Sequence, residues 1–145
     1  MVEKRIDRFE LSHSPTTETP PGMIKDIVKA VGKAYTVVGN TLGIAQDEIY
    51  AQCLDVSEAM IPELFAYRIK PVTVTYRFVD HGYLILSRPD SQKFIIVDGT
   101  WQGMLASSER TAEKPKILIG TSQEVVGALR SYGLTQEQTL PWTFK

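Results

Sequence analysis

The chain has 145 residues, 43% of them apolar and 23% charged, with a formal net charge of −1, which is the balance of one ordinary globular domain. A single cysteine and two histidines exclude an internal disulfide and a Cys-rich structural zinc site. The near-zero charge and the absence of a dense Lys/Arg run argue against nucleic acid as a partner. We therefore expect one domain over residues 1–145 that needs no metal and no cofactor.

The first 20 residues are polar and interrupted by prolines, which predicts an extended arm with a short strand near residues 8–11. The N-terminus lacks the apolar stretch of a signal peptide, and no apolar run approaches the length of a membrane span. The sequence predicts a cytoplasmic protein without a membrane span, or one secreted into a target cell by a route that needs no signal peptide.

Two helices are predicted after the arm. Pro21 suits a first helical turn, and apolar residues at three- and four-residue steps form one stripe that ends before Gly43. The second helix is predicted to begin near Cys53 and to reach about Tyr67. Pro62 lies inside this segment and would shorten or bend the helix, because proline lacks the N–H group of a backbone hydrogen bond.

The remaining chain predicts four strands, a turn, a last helix and a tail. Pro89-Asp90 favours a turn between the second and third strands. Thr121 and Glu124 have capping-box spacing for a helix that ends near Gly133. The predicted strands cover residues 71–79, 82–87, 93–98 and 116–119, and the tail 134–145 is expected to pack back on the domain. This order of elements predicts an α+β fold with helices packed on a small antiparallel sheet.

Three residues of this layout could form one chemical site. A cysteine attacks a carbonyl carbon only as a thiolate, and the start of a helix together with a nearby imidazolium lowers its pKa. Cys53 stands at a predicted helix start, where its own N–H could donate to an oxyanion. A turn that pairs Arg88 with Ser91 places His81 directly opposite Asp98, with β-carbons about 5 Å apart. A slip of one residue would put these two side chains on opposite faces.

These motifs resemble those of a known fold group. Gln-Cys at a helix start, a histidine at a strand start and Val-Asp-Gly-Thr-Trp at the end of the next strand are similar to the papain-like group. The closest match is its transglutaminase-like branch, where the aspartate stands in a similar Asp-x-Thr-Trp setting. The resemblance covers roughly residues 45–102. It implies a papain-like core with Cys53 as nucleophile, His81 as general base and acid, and Asp98 as the orienting carboxylate.

The resemblance also names residues around the site. Trp101 would by position form a wall, and Tyr83 takes the place of the aromatic residue that usually follows the histidine soon afterwards. Gln46 and Gln52 are both candidates for a side-chain oxyanion donor. We prefer Gln46, because its seven-position spacing from the cysteine is close to that of papain-like peptidases. Gln52 is itself a departure from the family, which usually has a small residue before the cysteine.

The size of the chain narrows the implied activity. It is far smaller than a protein-crosslinking transglutaminase and is similar in size to stand-alone papain-fold toxins, effectors and glutamine deamidases. The resemblance therefore implies acyl transfer at amide bonds, with deamidation of a protein glutamine as the first expectation. Its partners would be a protein substrate and an inhibitor or immunity protein. A cysteine peptidase or other amidase comes next, and a non-enzymatic binding module with the same fold is the alternative from another class.

Each candidate also has a structural explanation. A lone cysteine in a helix is more often a core residue, so the case for Cys53 depends on the order of the histidine and aspartate after it. His13 is the rival histidine, in a proline-flanked arm. Asp55 and Glu58 could contact a substrate, but carboxylates in a first helical turn also stabilise the helix without any such role. Their charge opposes a low pKa of the Cys53 thiol.

Overall fold

The computed structural model describes residues 12–44, 46–76, 79–105 and 114–143. Its helices are α1 (Pro21–Leu42), α2 (Cys53–Met60) and α3 (Ser122–Ser131), and its strands are β1 (Arg68–Tyr76), β2 (Val79–Ser87), β3 (Ile95–Asp98) and β4 (Leu118–Gly120). Short 3-10 turns cover Gln46–Ala51, Ile61–Leu64, Trp101–Met104 and Glu137–Trp142. The predicted α+β class with a small antiparallel sheet is confirmed. The strand predicted near residues 8–11 lies outside the described residues.

Helix α1 begins and ends where the sequence predicts. Pro21 occupies its first turn, where a missing N–H costs no helical hydrogen bond. Gly43 ends it in the left-handed conformation, at φ 64°, and its N–H donates to the Gly39 carbonyl, a geometry that glycine adopts without strain. Among the described residues, no helix is both long and apolar enough to cross a membrane.

Helix α2 is shorter than predicted. It stops at Met60, and a 3-10 turn over Ile61–Leu64 replaces the expected continuation to Tyr67. Pro62 explains the change, because its nitrogen carries no hydrogen for the helical bond to the Glu58 carbonyl. The apolar face nevertheless remains buried through Val56 and Met60.

The sheet has the order β1–β2–β3–β4, and every neighbouring pair is antiparallel. Leu84 and Leu86 of β2 pack on the α1–α2 side, whereas Tyr83 and Ile85 face α3. Strand β2 is therefore covered on both faces, as its continuous apolar sequence predicts. Burying a side chain the size of leucine contributes about 1.5–3 kcal/mol to the free energy of folding.

The predicted register between β2 and β3 is wrong by two residues. Leu84 pairs with Val97, where the expected register would pair it with Ile95. The predicted turn does form, since the Ser91 N–H donates to the Arg88 carbonyl at 3.0 Å. The strands do not continue directly from it, because the ladder resumes only at Ile95. A shift by an even number leaves every side chain on its predicted face.

The N-terminal arm is tied to the sheet more firmly than its polar sequence indicates. His13 forms a parallel bridge with Ile117, just before β4. Ser14 is fully buried, and its hydroxyl donates to the Ile119 carbonyl at 2.9 Å and accepts from the Ile119 N–H at 2.8 Å. The arm thus pairs alongside β4 and satisfies backbone groups at that edge.

Thr121→Ala should lower the free energy of unfolding by about 1 kcal/mol, because it removes the N-cap of α3. The Thr121 hydroxyl accepts from the Glu124 N–H at 3.2 Å, and the Glu124 carboxylate accepts in return from the Thr121 N–H at 3.1 Å. Urea unfolding measures the change. Thr73→Ala on the exposed face of β1 is the matched control, and an equal loss in both variants would contradict the capping role.

Candidate active site

Cys53 lies where the first turn of α2 meets the open side of β2. The β2–β3 ladder ends at the Leu84–Val97 pair, so residues 80–82 lie beyond the paired part of these two strands. The Cys53 thiol lies 3.7 Å from the Asp80 carbonyl oxygen, and its sulfur accepts a hydrogen bond from the Gly82 N–H. Cys53 is 8% exposed.

Gly82 leaves room for a side chain from the first turn of α2. A β-carbon built on Gly82 would lie 2.5 Å from Cδ2 of Leu54, which is too near for two carbon atoms. Leu54 directly follows Cys53, and its half-exposed side chain fills the space that a β-carbon on Gly82 would take.

His81 links the thiol to Asp98. Its Nε2 atom lies 2.6 Å from Oδ2 of Asp98, and its ring is also hydrogen-bonded to Cys53. Because Nε2 is engaged with the carboxylate, Nδ1 is the ring nitrogen left for the sulfur. The register places Asp98 diagonal to His81 instead of directly opposite, and a diagonal pair on one sheet face remains within reach of a long side chain. The sequence-predicted triad is therefore brought together, through a different register.

Asp98 is fully buried and accepts three hydrogen bonds. Nε2 of His81 and Nε1 of Trp142 each lie 2.6 Å from Oδ2, and the Thr100 N–H donates to Oδ1 at 3.0 Å. An indole and an amide N–H can only donate, so both oxygens of Asp98 act as acceptors towards them. The neutral form of His81 consequently carries its proton on Nε2 and presents a bare Nδ1 to the Cys53 thiol.

Helix α1 supports the segment that follows Asp98. The Tyr35 hydroxyl is buried and donates to the Gly99 carbonyl. A β-carbon on Gly99 would lie 3.1 Å from Cγ1 of Val31, which is tighter than ordinary contact. The scaffold helix therefore fixes the turn from which the Asp98 carboxylate extends.

The charges of the three residues reinforce one another. Burial alone would raise the pKa of the Cys53 thiol, but hydrogen bonds from His81 and the Gly82 N–H, together with the charge of His81, bring this pKa below its usual value of 9.0. Burial alone would lower the pKa of His81, but the charge and hydrogen bond of Asp98 and the contact with Cys53 raise it to about 10. The favoured state is a thiolate–imidazolium pair beside a carboxylate.

Backbone donors lie next to the sulfur. The first hydrogen bond of α2 runs from the Val56 N–H to the Gln52 carbonyl at 2.9 Å. The N–H groups of Cys53, Leu54 and Asp55 precede that bond and take no part in the helical ladder. Such groups at a helix start stabilise negative charge.

The structure describes the side chain of only one of the two predicted glutamine donors. Gln52 is the residue before α2; it is half-buried, and its side chain makes no capping hydrogen bond. Gln46 belongs to the 3-10 turn Gln46–Ala51, and its side chain lies outside what the structure describes. A role for either side chain at an oxyanion stays a prediction.

The aromatic residues expected at the site lie in the interior. Trp101 is fully buried, donates from Nε1 to the Pro115 carbonyl at 2.7 Å and stacks on Tyr132. It offers no surface to a substrate, which corrects its expected role as a wall. Tyr83 is 1% exposed, and its hydroxyl donates to the Pro141 carbonyl at 2.7 Å, so it anchors the C-terminal segment.

Trp142 is the site residue that sequence reasoning missed. Besides its hydrogen bond to Asp98, its ring meets the His81 ring edge-on, with centroids 5.7 Å apart. It closes the His81–Asp98 pair off from water on the α3 side of the sheet. The only sequence signal was an aromatic residue in a tail expected to pack back on the domain, and nothing in that signal indicated its partner.

The other residues considered from the sequence lie elsewhere. His13 is in the bridge with Ile117 and its Nδ1 atom is 3.0 Å from the Ser14 carbonyl oxygen. Asp55 and Glu58 are exposed on α2. Within the described ranges, no group of three or more His, Cys, Asp or Glu side chains is arranged to hold a metal ion.

His81→Gln should slow alkylation of Cys53 by iodoacetamide at least tenfold at about pH 6.5, where an ordinary thiol is only about 1% ionised. His81 lowers the pKa of the Cys53 thiol, so the wild type should have a larger thiolate fraction than the variant at that pH, and the difference should shrink at high pH where both thiols are ionised. Mass spectrometry of the intact chain gives the rate. His13→Gln is the matched control, and equal rates in the two variants would rule out an activated thiolate.

Trp142→Phe should also slow this alkylation several-fold, because water then reaches the His81–Asp98 pair and weakens its electrostatic effect. Trp101→Phe is the matched control, since it too removes one buried indole hydrogen bond. We expect stability losses of about 1.5–3 kcal/mol for Trp142→Phe, whose partner is charged, and about 1 kcal/mol for Trp101→Phe. If both variants react like the wild type, Trp142 has no influence on the thiol.

Comparison of the chain with known protein families, with curated proteins and with solved structures finds no match. The arrangement of Cys53, His81, Asp98 and Trp142 therefore carries the functional inference on its own. Its composition is that of an activated thiol with an oriented histidine.

Proposed function

We propose that this chain is a cysteine-dependent enzyme that hydrolyses amide bonds by acyl transfer, with Cys53 as nucleophile, His81 as general acid and base, and Asp98 as the orienting carboxylate. The observation that carries the proposal is the buried His81–Asp98 hydrogen bond of 2.6 Å, next to a thiol whose pKa is lowered. A structural cysteine needs no such partner, and thiols buried in apolar surroundings are inert. A nucleophile, a base and a group that orients the base are the parts such catalysis requires.

The same arrangement supports a papain-like core of the transglutaminase-like branch. The cysteine begins a helix that packs on an antiparallel sheet, and the histidine and aspartate lie on two neighbouring strands of that sheet. This is the placement that the resemblance implies for residues 45–102. We propose the family on this placement together with the short sequence motifs.

In the acylation step, the Cys53 thiolate attacks the carbon of a carboxamide. The carbonyl oxygen becomes an oxyanion, for which the N–H groups at the start of α2, which the helical ladder does not use, are the proposed donors. The His81 imidazolium then gives its proton to the leaving nitrogen. Ammonia departs, a thioester remains on Cys53, and His81 is left as the neutral imidazole.

In the deacylation step, water attacks the thioester. Neutral His81 accepts a proton from this water, because Asp98 keeps Nδ1 as the free basic nitrogen and stabilises the imidazolium that forms. The carbon–sulfur bond breaks, the Cys53 thiolate is restored and a carboxylate is released. The net reaction is amide plus water to carboxylate and ammonium, since the released ammonia takes up the proton that the acid product loses, and it needs no cofactor.

The burial of the site favours a side-chain amide as substrate. Cys53 is 8% exposed and His81 only 1%. A glutamine carboxamide at the end of a flexible side chain can reach such an enclosed sulfur. A main-chain peptide bond would require an open cleft with room for the chain on both sides. We therefore propose a protein glutamine as substrate, as in effector and toxin deamidases, with action in the cytoplasm or in a target cell and an inhibitor or immunity protein as a further partner.

The test is incubation of the wild-type chain with a synthetic peptide mixture in which one glutamine has randomised neighbours, in ¹⁸O-labelled water. Deamidation should appear in mass spectrometry as peptides in which the amide has become a carboxyl group with one ¹⁸O. Cys53→Ala should abolish this product, and Asp98→Asn should slow it about 10²–10⁴-fold. Asp90→Asn, an exposed turn carboxylate, is the matched control and should act like the wild type.

Other products would redirect the assignment. Cut peptides would indicate a peptidase, and peptides joined to an amine would indicate a transferase. Unchanged peptides, with Cys53→Ala protein that retains the biological activity of the chain, would leave the non-enzymatic binding module as the function.

A further inference from the structure

A groove of about 230 Å³ lies between the last turns of α1 and the outer side of α2. Its lining residues come from these two helices only: Val37, Val38, Thr41, Leu42, Asp55, Glu58 and Ala59. On α2 they occupy the side turned away from the buried face of Cys53, Val56 and Met60. The groove is thus separate from the candidate active site but lies on the helix that carries the nucleophile.

Two apolar side chains of α1 that line the groove are open to solvent. Val37 is 54% exposed and Leu42 is 47% exposed, and both are among the large apolar side chains that the fold leaves uncovered. Neither belongs to the buried core on the α1–α2 side of the sheet. Exposed apolar residues that are grouped around a concavity, instead of being scattered singly, are typical of an interaction surface.

The opposite wall carries negative charge. Asp55 and Glu58 line the groove, and none of its described lining residues is positively charged. The proposed chemistry makes no use of these carboxylates. A ligand that matches the groove therefore combines an aliphatic side chain with a cation.

We propose that this groove binds a segment of the protein substrate, with an aliphatic side chain between Val37 and Leu42 and a neighbouring Lys or Arg paired with Asp55 and Glu58. The inference rests on the proposed function, because it assigns the groove to recognition for that reaction. The nearly enclosed Cys53 and His81 offer little surface to a substrate. Binding energy must then come from contacts remote from the reacting amide, and this groove is an apolar concavity on the same helix.

The geometry also fixes a spacing. A substrate held in the groove must pass around the start of α2 to reach Cys53, over about 10–12 Å of helix diameter. An extended chain covers about 3.3–3.6 Å per residue. The anchor and the target glutamine should therefore be separated by about three to four residues.

Binding is measured with the full chain carrying Cys53→Ala, so that no turnover occurs. The probe is a fluorescein-labelled Gly–Ser peptide with one glutamine and, about four residues away, a leucine flanked by two lysines. The comparison peptide has glutamates in place of the lysines. We expect fluorescence polarisation to show saturable binding of the lysine peptide alone.

Asp55→Asn with Glu58→Gln should weaken binding of the lysine peptide about three- to tenfold, in line with two solvent-exposed ion pairs. Asp90→Asn is the control for loss of a surface carboxylate far from the groove and should leave binding unchanged. Absence of binding, equal binding of both peptides or equal binding by the double variant would overturn the proposal. So would a wild-type dimer that Val37→Lys converts to a monomer, since the occupant would then be a second copy.

Turnover by the active chain separates the two proposals. With docking and function both right, the wild type deamidates the lysine peptide faster than the glutamate peptide, and kcat/KM falls when the anchor is moved adjacent to the glutamine. Asp55→Asn with Glu58→Gln should remove this preference; the loss of two negative charges also favours the Cys53 thiolate, but that effect is the same for both peptides. Binding without any deamidation would refute the proposed function alone, and deamidation without charge preference would refute the docking alone.

Discussion

A carboxylate buried entirely inside the protein is the constraint around which the rest of the site is arranged. Asp98 has lost its contact with water, so its charge must be balanced by donors that the fold supplies. Those donors come from β2, from the turn after β3 and from the C-terminal segment. Satisfying one side chain therefore ties three distant parts of the chain together, and α1 adds a fourth through Tyr35 and the Gly99 carbonyl.

The electrostatic result is a row of alternating charges from Cys53 through His81 to Asp98. The imidazolium in the middle is stabilised from both sides, which is why its pKa rises although burial opposes the charged form. The Asp98 carboxylate has the same sign of charge as the Cys53 thiolate, so it raises the pKa of the thiol. This is the smallest of the effects on that pKa. The nearer imidazolium and the Gly82 N–H outweigh that effect.

The sequence predicts periodic and local features well, because their causes lie in neighbouring residues. Pro21, Gly43 and the capping box at Thr121 set helix boundaries through their own backbone chemistry. The sequence order of Cys53, His81 and Asp98 also predicts three side chains that lie together in the structure. The register differs, because the pairing of β2 with β3 reflects packing on both sheet faces as well as the turn.

Trp142 lies 44 positions from Asp98, and its contact with the carboxylate arises from tertiary packing, which no local pattern encodes. The sequence places Trp101 at the site because it follows Asp98 within the Asp-Gly-Thr-Trp motif, but the 3-10 turn after Asp98 directs its side chain into the interior.

The two-residue register shift has a consequence for how the hairpin between β2 and β3 can vary in length. Side chains alternate between the two faces of a sheet, so the active site imposes a rule of parity on this connection. An insertion or deletion of two residues that passes into the ladder would keep Asp98 facing Trp142 and α3. A change of one residue would turn the carboxylate into the apolar layer beneath α1 and leave a hydrophobic residue beside His81. Homologous or engineered loops at residues 88–94 should therefore tolerate even changes far better than odd ones, unless the loop itself absorbs the extra residue.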